Sequence, residues 1–72
     1  MRATITKRLV FVSNADDPHE TIRLHSGDEV TVIPNEHIPN ARVDVTHEDT
    51  TVRNVPREWF AMVSVYRVYP NE

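Results

Sequence analysis

Four histidines, adjacent carboxylates and three serines are the side chains here with the means to do chemistry. His19, His25, His37 and His47 are spread along the chain, and no two stand four residues apart. Cysteine is absent, so neither a disulfide nor a thiolate zinc site can form. A metal needs three or four donors brought together. The nearest approach to that is a long hairpin laying His19 beside His25. We expect no metal and no other cofactor. Asp16-Asp17 and Glu48-Asp49 are paired carboxylates. Both pairs stand among turn-forming residues, where solvated charge is the ordinary outcome. Ser13, Ser26 and Ser64 lack the strained strand-to-helix turn that exposes a hydrolase nucleophile. A phosphate loop needs several glycines, and Gly27 is the only one. These absences predict a protein that is not an enzyme.

The elements that would position these side chains must fit into 72 residues, which is one domain, residues 1–72. A chain of this size buries only roughly 60% of its unfolded surface. Eight Lys and Arg against eleven Asp and Glu give a net charge of -3. Phosphate-directed binding relies on a basic excess or stripe. Lys7-Arg8 is the only basic pair and the other arginines are scattered, so nucleic acid is not the expected partner. The longest apolar run, Trp59 to Val63, is far below the ~20 residues of a membrane helix. The apolar stretch behind Lys7-Arg8, Leu9 to Val12, is too short for a signal peptide. The expected location is cytoplasmic, away from membranes.

Eleven Val, four Ile and seven Thr favour strands, because β-branched side chains are stiff and fit a pleated surface. The apolar pattern is alternating rather than helical. Ala3, Ile5, Leu9 and Phe11 share one parity, with Lys7 the exception. Ile22 and Leu24 alternate, then Val30 and Val32, then Val43 and Val45. From Met62 to Tyr69 apolar residues occupy both parities, as in a strand at a seam or an interface. Turn signals separate the runs: Asn14 to Pro18, Ser26-Gly27-Asp28, Pro34 to Asn40, and His47-Glu48-Asp49. Pro56 lacks the N–H a ladder requires and stops a strand. About five short strands at this spacing predict a small all-β barrel or sandwich.

Three stretches carry a resemblance. "LVFVS" (9–13), "TIRLHSGDEVTVI" (21–33) and "NVPREWF" (54–60) are spaced as in an SH3-type barrel. In that family a first strand bears a groove aromatic, a loop follows, and a Gly-Asp turn opens the second long strand. Later a short 3₁₀ segment places an aromatic three residues after a proline, here Pro56 and Trp59. The resemblance spans roughly residues 9–63 and implies a single SH3-like barrel of about five strands with one 3₁₀ turn. Gly27 then supplies the positive φ of the turn, and Asp28 accepts hydrogen bonds from its N–H groups. Two departures stand out. The family's alanine-leucine-tyrosine-aspartate-tyrosine signature is absent, and Asn40 to Val43 replaces the segment with its third-strand tryptophan.

The resemblance implies a non-enzymatic protein-interaction module, and a lone, compact, acidic chain suits a standalone adaptor or inhibitor of the kind phages and mobile elements encode. Its partner-binding residues would be Phe11, Pro56 and Trp59 in a groove, with Asp16, Asp17 and Glu20 of the bordering loop meeting a basic side chain. The plainer reading of those acids is a solvated loop, and of Trp59 and Phe60 core packing. Two other readings stand beside this one. SH3-like barrels also occur in nucleic-acid-associated proteins, where Arg42, Arg53, Arg57 and Arg67 with Tyr66 and Tyr69 would line a face. They also serve as structural subunits of larger assemblies, which the two-sided tail would suit.

Overall fold

The computed structural model describes residues 1–59 and the backbone of a short strand at 67–69. Six strands lie within residues 1–59: β1 (Arg2–Thr4), β2 (Leu9–Asn14), β3 (Asp17–His25), β4 (Glu29–Pro34), β5 (Arg42–His47) and β6 (Thr50–Pro56). The seventh, β7, is Arg67–Tyr69. The expected two-sided tail from Met62 to Tyr69 otherwise falls outside the described residues, as does Phe60.

All pairings are antiparallel and fall into two sheets. One has the order β6-β5-β4-β1-β7, and the other is the β2-β3 hairpin alone. The all-β expectation holds. The single closed barrel does not: among the described residues the ladders do not join into one ring. The reason lies at β6, whose free edge is covered by the hairpin through side chains and one backbone bond, Ala15 N–H to Asn54 O at 2.9 Å, rather than through a ladder.

Ala3, Ile5, Val12, Leu24, Val30, Val32, Val43, Val45, Val52 and Val55 form the buried core, joined at its margin by Val10, Ile22 and Trp59. Seven of the ten are valine, so the pleat of the sheets is filled by short, stiff side chains, each contributing about 1.5–2 kcal/mol on burial. The shared parity of Ala3, Ile5, Leu9 and Phe11 does not survive folding. Ala3 and Ile5 are buried, whereas Leu9 and Phe11 are exposed. The chain bends at Lys7-Arg8 between β1 and β2, and the bend exchanges the faces, so Val10 and Val12 turn inward instead. "LVFVS" is accordingly the second strand and the first arm of a hairpin, not the first strand.

The loop expected at Asn14 to Pro18 is shorter than its composition suggests. Only Ala15 and Asp16 stand between the strands, and Pro18 lies within β3. Its position on the outer strand of a two-stranded sheet makes the missing N–H harmless. The stop at Pro56 is observed. The 3₁₀ turn expected after it is not among the described elements: residues 57–58 form a turn in which Arg57 N–H reaches across to Ala41 O at 3.0 Å.

Gly27 has φ +94°. Asp28 N–H bonds His25 O at 3.0 Å to close the turn, and Gly27 N–H bonds Ile5 O at 2.8 Å, pinning it to the end of β1. The Asp28 carboxylate caps the turn by accepting from His25 N–H at 2.8 Å. A Cβ on Gly27 would meet nothing within 4 Å, so any penalty at this position is backbone strain alone. Gly27→Val is expected to destabilise the domain by about 1–3 kcal/mol, and Gly27→Asn by distinctly less, because Asn tolerates positive φ. Chemical denaturation of the two variants checks this; equal losses would point to something other than φ.

Candidate functional site

The polar centre of the molecule is Asn54, in a part of β6 that does not follow the regular ladder. Val43 pairs with Val55, but Val45 pairs with Val52, so Arg53 and Asn54 together oppose Asp44 in a β-bulge. The extra residue is accommodated by φ 58° at Asn54. Its N–H then donates to Asp44 Oδ1 at 3.1 Å, and its carbonyl accepts from Ala15 N–H. The side-chain amide works in both directions. Oδ1 accepts from Arg42 Nη1 at 3.0 Å, while Nδ2 donates to Asn14 Oδ1 at 3.1 Å and Asp16 Oδ2 at 2.8 Å. One residue thereby fastens the tip of the β2-β3 hairpin to β5 and β6.

Asn35 supports the same assembly from the β4-β5 loop. It is buried, donates from Nδ2 to Asp44 Oδ1 at 3.0 Å, and accepts from His37 and Ile38 N–H on Oδ1. Among the described residues no buried side-chain nitrogen or oxygen lacks a partner. A cavity of about 300 Å³ lies here, lined by Asp16, Asn35, Glu36, His37, Ile38, Arg53 and Asn54.

The six residues expected to bind a partner are distributed along one rail. Asp16 is at the hairpin tip and faces Asn54. Glu20 Oε2 accepts from the Arg53 N–H at 2.6 Å, so this carboxylate also ties the hairpin to β6. Asp17 is exposed, and its carboxylate accepts from His19 N–H at 3.0 Å. Trp59 is half-buried against the core, and its indole Nε1–H donates to Phe11 O at 3.0 Å. The Phe11 ring points to solvent, 58% exposed. Pro56 is half-buried at the end of β6. Asn14, which shares the Asn54 amide with Asp16, is three residues from Phe11 on β2, roughly 10 Å at ~3.4 Å per residue. The acids and the Trp59 corner therefore touch the same hairpin at different points along it, rather than converging on one spot.

Composition alone did not single out Asn54, Asn35 or Asp44. A faint signal existed: Asn54 interrupts a β-branched run, and Asn is a poor strand former that accepts positive φ.

His19 and His25 do not face each other across the hairpin. Both lie on β3, roughly 20 Å apart along the strand. His47 Nδ1–H donates to Glu29 O at 3.1 Å, and its Nε2 stands 4.0 Å from Asp28 Oδ2 and 4.0 Å from Glu48 Oε1. Among the described residues no group of three His, Asp or Glu side chains is arranged to hold a metal ion. Of the arginines considered for a nucleic-acid face, Arg42 is bonded to Asn54 and Arg57 Nη2 to Pro39 O. No protein family, curated protein or solved structure matches this chain.

Proposed function

We propose that this protein is a non-enzymatic protein-interaction module of SH3-like kind, a small adaptor or inhibitor, with its docking rail along β2 and the β6 corner. The observation that carries this reading is the exposed Phe11 ring on a strand whose Phe11 carbonyl is bonded by the Trp59 indole. One aromatic, Trp59, is partly in contact with the core and the other, Phe11, is open to solvent, and aromatic side chains of this kind are the anchors that dominate interfaces. The order of landmarks supports the SH3-like part. A long hairpin leaves the sheet after β1, a Gly-Asp turn returns it, a meander of β4, β5 and β6 follows, and Pro56 closes the series. The acids at the other end of the rail give charge complementarity to a basic side chain. Asp17 is the most open of them, since Asp16 and Glu20 also hold the hairpin in place.

Phe11 is the discriminating residue, because its side chain can be removed without opening the core. The partner is first captured on immobilised domain from nuclease-treated lysate, then titrated against variants. Phe11→Ala is expected to leave stability within about 0.5 kcal/mol of the parent and to weaken binding at least ~10-fold, a loss of about 1.4 kcal/mol. Asp17→Asn is expected to weaken it by less and mainly at low salt. Full-strength binding by folded Phe11→Ala would move the docking surface elsewhere. A partner that vanishes with nuclease would favour the nucleic-acid reading.

A further inference from the structure

The outer edge of β3 has a short open window whose limits can be read from hydrogen bonds. In an antiparallel pair, opposed residues alternate between rows that exchange ladder bonds and rows that direct N–H and C=O away from the partner. Phe11 is of the second kind: it stands two rows from Leu9–His25, whose His25 N–H is taken by the Asp28 carboxylate, and its own carbonyl accepts from Trp59 Nε1–H outside the pair. Phe11 is opposed by Arg23, so Arg23 turns its N–H and C=O away from β2. The next rows of this kind are Leu9 with His25 and Ser13 with Thr21. His25 agrees with the assignment: its N–H is bonded by the Asp28 carboxylate and its C=O by Asp28 N–H. Those bonds close the edge at its C-terminal end. At the other end the register jumps from Ser13–Thr21 to Asn14–Asp17, and Pro18 has no N–H to offer. Between these stops, Thr21 and Arg23 present an unpaired edge, since β3 is the outer strand of its sheet.

We propose that this window accepts an extended segment of a partner protein by strand addition, with an acidic residue opposite Arg23. Charge decides the occupant. Arg23 is exposed and has no ion pair among the described residues. No carboxylate is paired with Arg23: of its neighbours, Glu20 accepts from the Arg53 N–H and Asp28 caps the His25 turn. A strand added here therefore meets one cation and four main-chain groups. Opposite charges on directly opposed residues stabilise such a pair, and like charges destabilise it. Edge addition draws affinity from the main chain and selectivity from the side chains beside it. The window is on the far side of the hairpin from Trp59 and does not depend on the docking rail proposed above.

The test uses the full chain, ¹⁵N-labelled, and three eight-residue probes. The first alternates Glu with Val. The second replaces Glu by Lys. The third is the first with alternate amides N-methylated, which removes strand hydrogen bonds and leaves the charge. The acidic probe is expected to shift the Thr21 and Arg23 amides and to bind at least ~10-fold more tightly than either of the other two. Arg23→Glu is expected to invert the preference between the Glu and Lys probes, and Trp59→Phe to leave it unchanged. Equal binding of the N-methylated probe would overturn strand addition. Retention of the acidic preference in Arg23→Glu, shifts confined to the Trp59 corner, absence of any shift at Thr21 and Arg23, or displacement of the probe by a mixed-sequence oligonucleotide would each overturn the proposal as well.

Discussion

Asn54→Ala is expected to lower stability by about 2–3 kcal/mol. Two terms add. Alanine at φ 58° costs about 1–2 kcal/mol, because the Cβ crowds the following carbonyl in the left-handed region. Loss of the amide removes the partner of Arg42 Nη1, which is half-buried, and both links to the hairpin tip at Asn14 and Asp16. Each such bond contributes about 0.5–1.5 kcal/mol net, less where water can replace it, as at the exposed Asp16. Asn54→Gly separates the terms, since it keeps the backbone conformation and loses only the amide. Urea denaturation of both variants gives the two contributions by difference. A loss below about 0.5 kcal/mol for Asn54→Ala would show that the hairpin tip is held by other contacts. For a domain near the low end of the usual 5–15 kcal/mol, the expected loss is a large part of the total.

Trp59→Ala is expected to cost about 2 kcal/mol while leaving a folded chain. Full removal of a buried Trp or Phe costs about 3–5 kcal/mol. Trp59 is only half-buried, at the margin of a core built from other side chains, so the loss is smaller. Trp59→Phe keeps most of the apolar contact and removes the N–H donor to Phe11 O, and is expected to cost about 1 kcal/mol. The Ala variant also releases β2 from the β6 corner, so amide exchange at Leu9 to Val12 is expected to quicken in it. Hydrogen exchange together with circular dichroism on both variants checks this. Unchanged stability and exchange in Trp59→Ala would make Trp59 a pure contact residue. Complete unfolding would make it part of the core. Since the substitution acts on stability and on the proposed rail together, Phe11→Ala is the variant that reads binding alone.

The local decisions of this chain were legible in its residues. Alternating β-branched side chains lead to strands because their stiffness and shape suit a pleated surface, and β4 and β5 lie where that pattern placed them. Gly27 marks the turn where only glycine takes φ +94° without strain, Asp28 caps it, and Pro56 ends β6 for want of an N–H. The His47 to Asp49 tip is there as well. What residue order could not decide were the outcomes that depend on contacts between distant residues. Parity assigned Leu9 and Phe11 to the face of Ala3 and Ile5, but two residues of bend at Lys7-Arg8 reverse it, and a period of two carries no memory across a bend. Asp16 and Glu20 read as solvated or ligand-facing acids until their partners 38 and 33 residues away were in place. The Trp59 indole bond spans 48 residues to a backbone carbonyl, a group every residue carries and no sequence pattern marks. Closure into two sheets rather than one ring was settled at the same contacts, where the hairpin meets β6 by side chains instead of a ladder.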